Sequence, residues 1–144
     1  MGYSHYWRMD KDLELTEDQG ILIDYVLEEH KDLIDQTGAP DFTTENHTIF
    51  LNGIGELNHE TFAVTKKAEE FDFCKTARKP YDIVVCKLLF ILSQSPGFSF
   101  SSDGLWREDG VLVLDGKWLE ASEWMNTQSF NGKEILEAQI PKEG

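Results

Sequence analysis

The sequence predicts an α+β fold in a single domain, residues 1–144, with an antiparallel sheet packed against two or three helices. Three observations favour this fold class. The chain has the length of one ordinary domain. Hydrophobic residues make up 40% of it, which is enough to build a core. The predicted strands cluster between helical segments, without the regular alternation that is typical of parallel α/β folds.

The first 40 residues contain one predicted strand and one predicted helix. Residues 3–8 alternate and are rich in aromatic side chains, which is typical of a strand. Thr16 and Gln19 form a capping-box pattern, and acidic residues occupy the first helical turn, where the helix dipole favours them. Apolar residues follow at helical spacing up to a Gly and Pro stop signal, so we expect a helix over residues 16–36.

The rest of the chain contains short strands around a second helix. Asn52-Gly53 after the apolar run 48–51 predicts a tight hairpin turn, because both residues tolerate positive φ. The second helix should begin near Pro80, and it is apolar on most sides, which is typical of a buried helix. A last short helix should begin near Trp118, and the tail from Gln139 should fray. Further strands are expected at 61–65, 71–74, 98–101 and 111–114.

The net charge of −14 limits the classes of partner. General binding of DNA or RNA is excluded, because a polyanion would be repelled and neutralising phosphates requires many Lys and Arg side chains. Three partners are compatible with this charge: a basic protein, a small anion in a local cationic pocket, and a nucleic-acid-binding protein that accepts an acidic decoy. The sequence leaves a homo-oligomer open. We expect no membrane association and a cytoplasmic location, because no apolar run is long enough for a membrane span and the N-terminus lacks a signal-peptide pattern.

A short basic island interrupts this acidic background. Residues 64–79 net +2, with five cationic side chains against Glu69, Glu70 and Asp72. A local concentration of positive charge is suited to holding an anion, although charge runs are usually just solvated faces. The five cations are Lys66, Lys67, Lys75, Arg78 and Lys79.

The segment 73–82 is the strongest candidate binding site. It runs from a strand into the start of the predicted buried helix, where free backbone N–H groups attract anions. Lys75, Thr76 and Arg78 would add charge and a hydroxyl, and Tyr81 would contribute to the same pocket. The alternative is structural: Arg78 would pair with Asp82 or Glu70, and Thr76 would cap the helix.

Two further groups could complete a nucleotide site. Tyr3, His5 and Trp7 share one face of the first strand, so they would either stack on a base or fill the core. Ser102 and Asp103 follow another strand, where they would either contact a sugar or form an ordinary turn.

The sequence predicts neither a metal site nor a cofactor. Its four histidines and two cysteines have no spacing typical of metal ligands, and no residue lies in a nucleophile elbow. His59-Glu60-Thr61 matches one half of an H-x-T phosphoesterase pattern, of which a second copy would be needed. A phosphoesterase that uses His59, with His5 or His47 as its partner, is therefore the third functional hypothesis.

Five segments stand out: Gly2 to Trp7, Leu51-Asn52-Gly53, Glu60-Thr61-Phe62, Phe73 to Asp82 with its Cys-Lys-Thr-Ala-Arg-Lys-Pro-Tyr-Asp run, and Ser101 to Gly104. Together they resemble a family of small uncharacterised proteins of bacteriophages and bacteria. The resemblance covers residues 2–104 and implies a phage or mobile-element setting, without an assigned activity. Small acidic phage proteins are often similar to inhibitors of host defence, so an anti-defence role is implied by analogy.

Two binding hypotheses precede the phosphoesterase. In the first, a phage-type accessory protein sequesters a small anionic, nucleotide-like molecule, such as a host defence signal, without turning it over. In the second, an acidic helix docks on a basic host protein and imitates nucleic acid. That helix carries Glu17, Asp18, Asp24, Glu28, Glu29, Asp32 and Asp35.

Overall fold

The computed structural model describes residues 2–35 and 49–140, and it confirms the predicted α+β class. These ranges contain eight strands, all paired antiparallel, four α-helices and a short 3-10 helix at Gly55–Leu57. The strands are β1 (Ser4–Met9), β2 (Ile34–Asp35), β3 (Ile49–Gly53), β4 (Phe62–Val64), β5 (Glu69–Lys75), β6 (Phe98–Ser102), β7 (Leu105–Glu108) and β8 (Val111–Leu114). The helices are α1 (Glu17–Glu29), α2 (Asp82–Leu92), α3 (Trp118–Thr127) and α4 (Gly132–Gln139).

The sheet that positions the candidate site has the strand order β5-β1-β6. Tyr6 in β1 lies opposite Phe73 on one side and Ser101 on the other. Because side chains alternate along a strand, His5 and Trp7 point to the opposite face, where both are buried. One face of this sheet therefore covers the core, and the other is open.

The buried helix that the sequence predicts is confirmed as α2. All eleven of its residues are buried, and both α1 and α3 pack against it. The helix begins at Asp82, close to Pro80, after a turn in which the N–H of Asp82 donates to the carbonyl of Lys79. Burial of nearly every side chain explains why its sequence lacks a polar face.

The predicted start of α1 is confirmed and its predicted end is wrong. The Thr16 hydroxyl accepts from the N–H of Gln19 at 3.1 Å, and the Gln19 side chain accepts from the N–H of Thr16 at 2.9 Å. The helix ends at Glu29, because Ile34 and Asp35 pair as a strand with β3. Residue 36, where the helix was expected to end, lies outside the described residues.

The hairpin turn predicted at Asn52-Gly53 is also wrong. Both residues belong to β3, which pairs with β4 across a longer loop. The Asn52 side chain closes that loop by accepting from the N–H groups of Gly53 and His59. Gly53 meets a packing requirement, since a Cβ atom there would lie 2.1 Å from the carbonyl oxygen of Leu57.

The remaining strand predictions are confirmed to within two residues as β4, β5, β6 and β8, and the helix predicted near Trp118 is α3. The sequence analysis missed β7 and α4. Helix α4 ends at Gln139, where the frayed tail was expected to begin, and residues 141–144 of that tail lie outside the described ranges. Among the described helices, none combines the length and the apolar character that a bilayer crossing requires.

Candidate functional site

The inward face of β1 carries a buried polar network. His5 Nδ1 lies 2.8 Å from the Ser102 hydroxyl oxygen, and His5 Nε2 lies 2.5 Å from Asp82 Oδ1. The Thr76 hydroxyl donates to the same Asp82 oxygen at 2.6 Å. These four side chains join β1, β6 and the start of α2, and each is almost wholly buried. Their main role is to provide hydrogen-bond partners for one another in a site that water does not reach.

Counting donors and acceptors around Ser102 assigns the tautomer of His5. The Ser102 oxygen accepts from the backbone N–H of Gly104 at 3.0 Å and from the indole N–H of Trp118 at 2.9 Å. Both lone pairs of that oxygen are thereby occupied, so its own O–H must donate to His5 Nδ1. The proton of a neutral His5 then lies on Nε2, from which it donates to Asp82.

The order Ser102–His5–Asp82 is formally that of a hydrolase triad, but the environment does not suit catalysis. A nucleophilic serine needs a reachable hydroxyl oxygen, and the Ser102 side chain is buried with both lone pairs engaged. The network is therefore a structural connection between strands and helix.

His5, Asp82 and Cys86 are the one set of three metal-ligating side chains that converge within the described residues, with ligand atoms within 4.8 Å of one another. A metal on His5 Nε2 would move the proton to Nδ1, which faces a Ser102 oxygen that has no free lone pair. Burial, followed by the charge of Asp82, raises the pKa of the Cys86 thiol well above its usual value. The donor set therefore fits a hydrogen-bonded core better than a metal site.

The distinctive basic segment folds over the start of β1. The N–H groups of Thr76 and Ala77 both donate to the carbonyl of Tyr3, at 3.1 and 3.2 Å. Ala77 and Arg78 adopt left-handed backbone angles, with φ of 53° and 59°. This turn places the Arg78 guanidinium 4.1 Å from the centre of the Tyr3 ring.

The Arg78 charge is matched by a carboxylate that the sequence analysis did not identify. Arg78 donates to Asp115 at 2.7 Å, and this contact, followed by the N–H of Gly116, holds the pKa of Asp115 below its usual value. Arg78 does pair with a carboxylate, as the structural alternative expected, but its partner is Asp115 and neither Asp82 nor Glu70. The guanidinium remains about half exposed, at 54%.

Most of the side chains predicted to contact a ligand face the core. Tyr81 donates from its hydroxyl to the carbonyl of Glu60, and beside it burial raises the pKa of Cys74 to about 12. Asp103 is exposed but accepts from the N–H of Ser4 and the hydroxyl of Tyr6. Lys75 is half-buried beside Gly2. The buried residues are Tyr3, His5, Trp7, Thr76, Tyr81 and Ser102.

The predicted stacking trio requires a correction. Tyr3, His5 and Trp7 do share one face, but that face packs inward, so a ligand cannot reach their rings. Within the described residues, the Tyr3 hydroxyl and the Trp7 indole nitrogen are buried without a hydrogen-bond partner. The periodicity of a strand identifies which residues share a face, and tertiary packing decides which face is exposed.

The open face of the same sheet carries three aromatic rings that the sequence analysis did not select. Phe71 is 62% exposed and Phe73 is 48% exposed, which is unusual for side chains of this size. The Tyr6 and Phe71 ring centroids lie 5.9 Å apart at 27°, and those of Phe71 and Phe73 lie 6.1 Å apart at 32°. We call Tyr6, Phe71 and Phe73 the aromatic face. The two-residue spacing of Phe71 and Phe73 was the signal in the sequence that could have identified this face, because residues two apart on a strand lie on the same side.

Polar and cationic groups surround the aromatic face. Lys75 lies opposite Ser4 at one end of the strand pair, and Arg8 lies opposite Ser99 near the other end. A depression of about 440 Å³ adjoins Phe71, and its polar lining residues include Arg8, Glu70, Ser99, Ser101 and Gln139. Arg8 donates to Asp10 at 2.9 Å, in a pair whose two side chains are both well exposed.

The histidines of the phosphoesterase hypothesis do not form a pair in the described residues. His59 is exposed on the loop after β3, whereas both nitrogens of His5 are engaged in the buried network. His47 lies outside the described residues.

Searches among protein-family models, curated proteins and solved structures gave no match for this chain. The resemblance to small phage and bacterial proteins therefore stays a prediction from the sequence.

Proposed function

We propose that the protein captures a small anionic, nucleotide-like molecule on the aromatic face, without turning it over. The observation that carries this proposal is the contiguous set of rings formed by the half-buried Tyr6 and the exposed Phe71 and Phe73. Water is a poor environment for such rings, and a flat ligand would cover them. Stacking of a base on an aromatic side chain contributes about 1–3 kcal/mol.

The local charge supports an anionic ligand. Arg8 and Lys75 lie toward opposite ends of the strand pair, with the rings between them. Glu70 is the carboxylate that lines the adjoining depression. In a molecule of net charge −14, two cations beside exposed rings would offer a phosphate a favourable position. Asp10 is an exposed partner of Arg8, so a phosphate could replace it at small cost.

The surrounding chemistry favours binding over catalysis. Near the rings, the exposed hydroxyl of Ser101 and the amide of Gln139 can donate or accept hydrogen bonds. His5 and Asp82, which could serve acid–base chemistry, bond to each other beneath the sheet, out of reach of a ligand on the open face. In the phage setting that the resemblance implies, such a protein would remove a nucleotide-like defence signal from the host.

Calorimetric titration with linear, cyclic and cyclic-dinucleotide ligands tests the proposal. The double variant Phe71→Ala/Phe73→Ala should bind about tenfold or more weakly, because two stacking surfaces are lost. Val111→Ala is the matched control, since Val111 is 66% exposed on the separate strand β8. Absence of binding across the panel, or equal binding by the double variant and wild type, would refute the proposal.

Glu70→Gln separates an anionic ligand from a basic peptide on the same surface. Removing this carboxylate beside the rings should strengthen binding of a nucleotide, because like-charge repulsion is reduced. A basic peptide would instead lose an attractive contact and bind more weakly. Weaker nucleotide binding by this variant would contradict the charge argument.

A further inference from the structure

The outward face of α1 is acidic and carries two exposed apolar side chains. Ile21 is 59% exposed and Tyr25 is 53% exposed, and their spacing of four residues places them on the same side of the helix. The inward side is formed by Ile23, Val26 and Leu27, which belong to the core. The five carboxylates of the helix are all exposed: Glu17, Asp18, Asp24, Glu28 and Glu29. We call these five residues, with Ile21 and Tyr25, the acidic face.

Glu17 and Asp18 suit the start of the helix, but the charges in the second half of the acidic face do not serve the stability of the helix. Glu28 and Glu29 occupy the last turn, where the helix dipole disfavours negative charge, and α1 has no basic residue there. Asp24 and Glu28 form a like-charged pair at a spacing of four residues, which is also destabilising. Lys31, beyond the helix end, pairs with Glu28 at 3.0 Å and offsets part of this. Local conflicts of this kind are typical of functional surfaces.

We propose that the acidic face docks on a basic surface of another protein, with Ile21 and Tyr25 as the apolar anchors. Interfaces combine an apolar centre, in which Tyr is enriched, with a polar rim, and the carboxylates form such a rim here. A second copy of this chain would present the same negative charges, so it is the wrong partner for this face. This docking is independent of the aromatic face, which lies on the β5-β1-β6 sheet.

The probe for the test is an amphipathic helical peptide with lysines on one side and leucines on the other. Hydrogen exchange with the peptide bound should protect residues 17–29 more than the other helices. Ile21→Ser/Tyr25→Ser should weaken binding about tenfold or more, because the apolar anchors are lost while the charge is unchanged. A peptide with glutamine in place of lysine should not bind measurably, because the attraction between charges is removed.

Leu119→Ser supplies the matched control. Leu119 is 57% exposed in α3, which also carries Glu120 and Glu123. This variant should bind the peptide within about twofold of wild type, because most side chains outside the centre of an interface contribute little. Equal protection of α1, α3 and α4 from hydrogen exchange would overturn the proposal. So would an equal loss of peptide affinity in Ile21→Ser/Tyr25→Ser and in Leu119→Ser, because either result would show charge attraction without a docking site. Circular dichroism establishes that both variants are folded.

Discussion

Ser102 is the residue on which the buried network depends. Its hydroxyl oxygen is within hydrogen-bond distance of His5, the Gly104 N–H and the Trp118 indole N–H. Removing it leaves three buried polar groups without a partner, and each such group costs about 1–3 kcal/mol. Ser102→Ala should therefore lower the free energy of unfolding by about 3 kcal/mol or more in a urea titration.

The neighbouring serine provides the control for this prediction. Ser101 is exposed on the opposite face of β6, so Ser101→Ala should change the free energy of unfolding by less than about 0.5 kcal/mol. If the two variants unfold at the same urea concentration, the donor count around Ser102 is incorrect.

At the residue scale, the sequence predicts which side chains lie together better than it predicts whether they are buried and which partners they contact. The alternation of β1 places Tyr3, His5 and Trp7 together, and they are together in the structure. The sequence analysis left ligand stacking and core packing as the two roles of this side, because both sides of β1 carry aromatic residues, and the structure shows core packing. The sequence also could not predict the ion pair between Arg78 and Asp115, because these residues are 37 positions apart and such pairs depend on the tertiary fold.

At the element scale, α1 and α2 meet at a pair of titratable side chains. Lys87 Nζ lies 3.0 Å from His30 Nε2 and 4.9 Å from the centre of the Trp124 ring. Burial, followed by the charge of Lys87, lowers the pKa of His30, although Glu29 and Glu120 oppose this shift. Burial likewise lowers the pKa of Lys87. At neutral pH, the Nε2 atom of a neutral His30 therefore accepts a hydrogen bond from the charged Lys87 ammonium group.

This contact predicts a loss of stability on acidification. Because the pKa of His30 is lower in the folded protein, the unfolded chain binds more protons as the pH falls below about 6.5. The folded state must then either resist protonation or hold two cations in contact. Wild type should lose more stability between about pH 7.5 and about pH 5.5 than His30→Gln, whose amide oxygen still accepts from Lys87 without titrating.

His59→Gln is the control for this pH series, because it replaces an exposed histidine on the loop after β3. Its thermal midpoints should follow those of wild type across the series. Identical pH profiles for His30→Gln and wild type would contradict the assignment of the effect to His30.

The elements that the sequence predicts correctly are those with strong local signals. The capping box of α1 and the uninterrupted apolar run of α2 both act within a few residues. The end of α1 and the turn after β3 depend instead on pairing between β2 and β3, which no local pattern encodes. Asn52-Gly53 shows this clearly, since Gly53 is needed for close packing against Leu57.

At the scale of the whole molecule, the sequence identifies a charge distribution and the structure gives it a geometry. The acidic face of α1 has the same sign of charge as the whole molecule, whose net charge is −14. The aromatic face, in contrast, lies between the two cations Arg8 and Lys75. The basic segment at 73–82, which the sequence analysis ranked first, mainly secures the start of β1 and contributes Phe73 and Lys75 to the open face. The two surfaces have opposite electrostatic requirements, and we propose that they bind different partners.

The central claim is that the ligand surface is the open side of the β5-β1-β6 sheet. NMR titration with a mononucleotide and a cyclic dinucleotide, observing aromatic ring protons, tests it most directly. We expect ring-current shifts at Tyr6, Phe71 and Phe73, with the Tyr3 and Trp118 rings unaffected. Shifts confined to Tyr3 and the segment around Arg78, or no shifts with either nucleotide, would contradict the account.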